Sequence, residues 1–192
     1  NATAVLANGG TFHKPRLVMA TQDPIQRVDQ AVMSDAPVNL GYKPEHVEVI
    51  KQGLIGVAKE GTSARVFAGA PYQSAGKTGT AQAVTIGQKD KYNASKLEEH
   101  QRDHALYMAF APADEPQIAL AIVVENAGFG AAQAAPIARR VFDYWLLGDY
   151  PSVEDIEASQ KGLAASPMGV RRRKEDILLA PSEGVVAGIK NR

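Results

Sequence analysis

Seven consecutive apolar residues, Ile118-Ala119-Leu120-Ala121-Ile122-Val123-Val124, constrain the fold of this chain more than any other stretch. The run is too short to span a membrane and is rich in β-branched residues, so it reads as a strand. Successive side chains on a strand point to opposite faces. A strand apolar on both faces needs cover on both sides, which predicts helices sandwiching a sheet. Ala105 to Ala111 and Gln117 to Asn126, joined through Pro112-Ala113-Asp114-Glu115-Pro116, are expected to pair as an antiparallel hairpin of that sheet.

Two segments have the helical spacing to provide the cover. Pro44-Glu45 opens the first, with Val47, Ile50, Leu54 and Val57 on one face and Gly61 as its stop. Gly53 and Gly56 each weaken it by up to ~1 kcal/mol relative to alanine, so close approach to the sheet is expected to hold it. The second is Ala131 to Leu147, with Ile137, Val141 and Trp145 at four-residue spacing as its expected sheet-facing stripe. Pro136 inside it predicts a restart or a kink. Nearer the start, Ala2 to Ala7 reads as a helix end stopped by Asn8-Gly9-Gly10. A small hairpin is expected around Asp23-Pro24, followed by a connection over 34–41.

The stretch Gln73-Ser74-Ala75-Gly76-Lys77-Thr78-Gly79-Thr80-Ala81-Gln82 carries the chemistry. As a strand it sets Thr78 and Thr80 on one face and Lys77 and Gly79 on the other. Hydroxyls in a row beside a cation suit a carboxylate, and Gly79 leaves room for a ligand beside the backbone. Gly76-Lys77-Thr78 also matches the end of a nucleotide-binding P-loop, but the first glycine of that motif would fall at Pro71, and no helix opens here. Ser74-Ala75-Gly76-Lys77 matches the S-x-x-K of serine acyl-transfer enzymes. Its serine and lysine meet on a helix and part on a strand, so this spacing reads as coincidence.

The third match is K-T-G, the strand motif of β-lactamases and penicillin-binding proteins. Ser74 to Gln82 resembles the third motif of the class B penicillin-binding proteins, most closely the branch that cross-links peptidoglycan during cell elongation. His104 to Pro112 and Ile118 to Asn126 resemble the strand pair that follows it, and the likeness covers roughly residues 1 to 150.

The resemblance implies an α+β fold, an antiparallel sheet sandwiched by helices, of which this chain is the C-terminal portion. It implies a serine D,D-transpeptidase whose partners are the D-Ala-D-Ala stem peptide, β-lactams and a membrane lipid-II polymerase. The expected location is the periplasmic face of the bacterial cytoplasmic membrane, reached through an N-terminal anchor outside this chain. Lys77 would supply positive potential and proton traffic, while Thr78 and Thr80 would hold the substrate carboxylate. Gly79 would keep the edge open, and the Thr80 N–H would join an oxyanion hole. The nucleophile and the middle S-x-N motif are expected upstream, so the chain alone should not turn over substrate. The family's central sheet has more strands than are recognisable here, so one edge should be bare and the isolated chain prone to self-association. A non-catalytic peptide- or carboxylate-binding module on the same fold is the rival reading.

Other features narrow the field. Lys+Arg and Asp+Glu are both 21, so charge does not favour nucleic acid. With no cysteine there is no disulfide, thiolate metal site or cysteine nucleophile. No metal or other cofactor is expected: His100 and His104 lie among Glu98, Glu99 and Asp103 without ligand spacing, and His13 is a lone loop histidine. Gly87 to Asp103 reads as a long exposed connection, either a lid or a tolerated insertion. Gly61-Thr62-Ser63-Ala64 is a loop the family also carries before its K-T-G strand, with a structural role expected. The transpeptidase portion is assigned to 1–148. Residues 149–192 are assigned to a polar, flexible tail whose Arg171-Arg172-Arg173-Lys174 run is solvated.

Overall fold

A computed structural model describes residues 1–84, 97–163 and 165–178. Most of the 87–103 connection and the last part of the C-terminal stretch therefore lie outside the described residues.

Helix α1 (Ala2–Ala7) stops at Asn8, whose side chain bonds Thr11 in both directions, donating to its carbonyl at 2.7 Å and accepting its N–H at 2.9 Å. Gly9 and Gly10 follow with φ of 81° and 104°, which is why glycines stand there. Strand β1 (Thr11–Phe12) comes next, then the hairpin of β2 (Ala20–Gln22) and β3 (Asp29–Ala31). Its turn is held by the Asp23 carboxylate, which accepts the N–H groups of Ile25 and Gln26, each at 2.8 Å. The expected connection over 34–41 contains strand β4 (Val38–Asn39), which pairs with β1. Two residues are too few to show a period in sequence.

The central sheet is antiparallel, in the order β5 (Ala75–Ala81), β6 (His104–Ala111), β7 (Ile118–Val124). Helices α2 (Pro44–Lys59) and α4 (Gly130–Leu147) cover it from opposite faces, and the short α3 (Ala64–Phe67) touches both of these helices. The strand period separates the two cores. Ala105, Tyr107, Ala109 and Ala111 of β6 pack with Ala134, Ala135, Ala138 and Phe142 of α4. Met108 and Phe110 turn the other way, with Ala75, toward Leu54 and Ile55 of α2 and Ala7 of α1. Each buried phenylalanine contributes roughly 1.5–3 kcal/mol.

The fold class is therefore as expected, α+β with a sandwiched antiparallel sheet. The helix faces are not. On α2 the buried stripe is Val47, Leu54, Ile55 and Ala58, and Ile50 is 49% exposed. Gly53 and Gly56 do not approach the sheet: a methyl on Gly53 meets open space, and on Gly56 only the Glu60 carboxylate at 4.0 Å. On α4 the sheet-facing residues are Ala134, Ala135, Ala138 and Phe142, while Ile137, Val141 and Trp145 turn outward, Trp145 being 59% exposed. Close approach explains the choice. A methyl on Gly130 would run into the carbonyl oxygens of Leu106 and Gly79, so only small side chains fit beneath the start of this helix. The helix runs on through Pro136 without restarting and ends at Gly148 in the left-handed region, φ 70°.

Strand β7 is the outer strand of the described sheet, and Val123 is 62% exposed. Cover on both faces is thus incomplete at this edge.

The described residues after Gly148, 149–163 and 165–178, pack, where an unpacked tail is expected over 149–192. Helix α5 (Val153–Gln160) is capped by Ser152, which accepts the Asp155 N–H at 3.0 Å, and is tied to α4 by Arg140 and Asp155. The basic run does not form a solvated cluster. Arg171 pairs with Asp149 at 2.9 Å, Arg172 donates to the Pro151 carbonyl at 2.8 Å, and Arg173 reaches both Asp149 and the Leu147 carbonyl. Tyr150 and Arg172 form a bridge before the short α6 (Lys174–Leu178).

Candidate active site

Strand β5 pairs with β6 along one edge, and among the described residues its other edge is unpaired. Lys77 stands opposite Met108, Thr78 opposite Tyr107, Gly79 opposite Leu106 and Thr80 opposite Ala105. The alternation therefore sends Lys77 and Gly79 toward the α2 side and Thr78 and Thr80 toward the α4 side. Lys77 and Thr80 are exposed, and Thr78 and Gly79 are half-buried. The Lys77 ammonium donates to the Thr78 carbonyl at 2.8 Å. Four consecutive residues thus offer a cation, two hydroxyls and an accessible backbone along a free strand edge.

Ser74 does not join Lys77. Its hydroxyl is buried, with no hydrogen-bond partner among the described residues, just before the strand begins at Ala75. An S-x-x-K pairing would need a helix here, and the backbone is extended. Hollows of about 440 and 570 Å³, one beside α3 and Tyr72 and the other beside Arg102 and Asn126, do not include Lys77 to Thr80. The edge is a wall rather than a cavity.

Behind the wall, glycines let large groups cross. A methyl on Gly76 would lie 2.5 Å from the Tyr107 hydroxyl, and one on Gly79 would press on Leu106 at 3.1 Å. Gly79 is thus accounted for by packing against Leu106 and by the approach of Gly130 to its backbone, besides any room left for a ligand.

Three groups that sequence reasoning did not place in the site support this edge. The Thr62 and Thr78 hydroxyls are 2.9 Å apart. Ser63, fully buried, donates to the Val57 carbonyl at 3.1 Å and lies 3.0 Å from the Tyr107 hydroxyl. Burial pushes the Tyr107 phenol up to about 12, against the opposing pull of Ser63, so Tyr107 stays neutral. Arg139, fully buried on α4, makes a forked pair with Asp143 at 2.9 and 3.0 Å and donates to the carbonyls of Val66 and Ala68. Tyr72 donates to Asp143 at 2.7 Å. Burial first, then the Asp143 contact, raises the Tyr72 phenol above its ordinary range. This network fastens the 66–72 segment, which leads into β5. Its one sequence signal is the Arg139–Asp143 spacing of four on an alanine-rich helix.

The histidines hold loops. His104 Nδ1 accepts the Asn126 N–H at 3.0 Å, and His100 lies 3.4 Å from Glu98 on an exposed 3₁₀ turn. Among the described residues no group of three or more His, Asp or Glu could hold a metal, and no helix is long and apolar enough to cross a membrane.

Residues 1–143 match the penicillin binding protein transpeptidase domain. The chain belongs to the penicillin-binding protein transpeptidase family. The peptidoglycan D,D-transpeptidase MrdA of Haemophilus influenzae is 37% identical over 155 residues, covering 80% of this chain and 24% of the relative. Penicillin-binding protein 2 of Pseudomonas aeruginosa, solved with WCK 5153, superposes with a TM-score of 0.54 at 32% identity, covering 76% of this chain and 28% of that one. Penicillin-binding protein A of Mycobacterium tuberculosis, solved as its penicillin G acyl-enzyme, gives 0.54 at 30% identity, covering 75% of this chain and 30% of that one. The chain thus spans about a quarter of the length of the curated relative. These matches bear out the resemblance carried by Ser74 to Gln82 and by the β6–β7 hairpin.

Proposed function

We propose that this chain supplies the carboxylate-binding wall of a peptidoglycan D,D-transpeptidase, with Lys77, Thr78, Gly79 and Thr80 as the residues that meet substrate. The observation that carries the reading is the free edge of β5, where these four residues stand side by side in a chain of this family. A carboxylate only accepts hydrogen bonds, and Thr78 and Thr80 offer hydroxyl donors beside the Lys77 charge.

In the proposed reaction a serine outside this chain attacks the carbonyl of the penultimate D-Ala. The peptide bond breaks, the terminal D-Ala departs with a proton, and an acyl-enzyme remains. The amine of a neighbouring stem peptide then takes the acyl group, the ester bond to the serine breaks, and the amine gives up one of its own protons to the serine oxygen. The Thr80 N–H stabilises the oxyanion, a contribution of about 3–4 kcal/mol per donor. Lys77 keeps the local potential positive and assists proton traffic. A β-lactam enters the same path, because its ring amide stands in for the scissile bond and its carboxylate for the substrate's. The proposed setting is the periplasmic face of the cytoplasmic membrane, and a lipid-II polymerase is the proposed partner of the whole protein.

Intact mass after incubation with penicillin tests the reading. The full-length protein should gain one adduct, and peptide mapping should put it outside residues 1–192. An adduct on Ser74 would overturn the assignment of the nucleophile.

A further inference from the structure

The Gly61-Thr62-Ser63 loop lies sixteen residues before Thr78 in sequence yet reaches its side chain. Resting on the carboxylate-binding reading of Thr78, we propose that Thr62 is a positioning residue that directs the Thr78 hydroxyl proton onto the substrate carboxylate.

The argument is one of counting protons. A threonine hydroxyl has a single proton and two lone pairs, and a carboxylate has acceptors only. The Thr62 and Thr78 oxygens are 2.9 Å apart, so one of them donates to the other. If Thr78 donates to Thr62, it has nothing left for an anion. If Thr62 donates, Thr78 accepts with a lone pair and its own proton is free to point at the ligand. A carboxylate on the β5 edge therefore selects the second arrangement, and Thr62 becomes the tail of a two-hydroxyl chain ending on the anion. Such chains strengthen one another, the more so once a ligand displaces water from an edge that is open without it.

A directing group must itself be held, and residues on both sides of Thr62 are. A methyl on Gly61 would lie 2.8 Å from Val57 Cα, and the Gly61 N–H donates to the Gly56 carbonyl at 2.9 Å, so the turn off α2 is tight. Ser63 is fully buried. Its proton goes to the Val57 carbonyl, so it receives the Tyr107 proton, and Tyr107 in turn pairs across the sheet with Thr78. Loop and strand are thus fastened through Tyr107 at one point and meet through the Thr62 and Thr78 hydroxyls at another.

The test compares acylation of the full-length protein by benzylpenicillin with acylation by its methyl ester, which lacks the anion. Each variant gives a ratio of acid to ester rate constants, and this ratio does not depend on how much protein is folded. Thr62→Val should lower the ratio about five- to tenfold, as expected for losing support to a hydrogen bond on a charged group. Thr62→Ser, which keeps the hydroxyl, should restore it. An unchanged ratio in Thr62→Val, or an equal loss for acid and ester, would overturn the proposal. Thr78→Val separates the two readings. If it too leaves the ratio at the wild-type value, the carboxylate-binding reading itself fails; if it lowers the ratio and Thr62→Val does not, only the role of Thr62 fails.

Discussion

A methyl group on Gly76 would lie 2.5 Å from the Tyr107 hydroxyl oxygen and 2.9 Å from the Met108 carbonyl. The first residue of the Gly76-Lys77-Thr78-Gly79 run is thus glycine because an aromatic ring from the next strand lies across it. Gly76→Ala must displace Tyr107 and so disturb its bond to Ser63. Overpacking of this kind costs about 1–3 kcal/mol. Thermal unfolding should show a drop of roughly 2–4 °C for each kcal/mol lost.

Arg139 and Asp143 form a buried pair, and the arginine also holds the Val66 and Ala68 carbonyls. Removing one partner leaves a charge in the core, which costs about 3–5 kcal/mol. Arg139→Met should therefore be strongly destabilising in denaturant unfolding. The double change Arg139→Met with Asp143→Leu should recover part of that loss, because the unpaired charge is gone while the Val66 and Ala68 carbonyls and the Tyr72 hydroxyl still lack their partners.

Gly53 and Gly56 sit in mid-helix with space around them. Gly53→Ala and Gly56→Ala should each stabilise the protein by about 0.5–1 kcal/mol, through helix propensity and a less flexible unfolded chain. A loss of stability in both would show that something packs on this face of α2.

Burial raises the Tyr107 phenol to about 12 from an ordinary value near 10. The folded state favours the protonated form, so this contribution to stability is complete below about pH 10 and is lost as pH climbs through about 12. Ultraviolet titration of phenolate should show late-ionising tyrosines, and Tyr107→Phe should remove the one that titrates at about 12 while leaving Tyr72.

What was legible in sequence was local. Pro44 and Glu45 mark the start of α2, Asn8-Gly9-Gly10 the end of α1, and the apolar run Ile118 to Val124 a strand, each from residues a few positions apart. The Lys77 to Thr80 edge was found the same way, because strand alternation is a period of two. The helix faces were misread because large apolar residues were given priority. Where Gly130 nearly touches the backbone of Gly79, alanine is the better-fitting residue, and Ile137 and Trp145 are left outside. The supports of the β5 edge are out of reach of the sequence for another reason. Thr62 meets Thr78 and Ser63 meets Tyr107 only after the chain has folded, and no spacing in the sequence announces either contact. Arg171 to Arg173 misled in the opposite direction: a run of like charges suggested a solvated tail, yet Asp149 and two backbone carbonyls lie within reach of it.

The most direct test of the account is the rate at which the full-length protein is acylated by a fluorescent penicillin when Lys77 is changed to alanine. Lys77→Ala should lower that rate at least ~100-fold, the scale of a lost proton-transfer group. Lys161→Ala, an exposed lysine just after α5, should acylate like the wild type. Acylation of Lys77→Ala at the wild-type rate would remove Lys77, and with it the β5 edge, from the site.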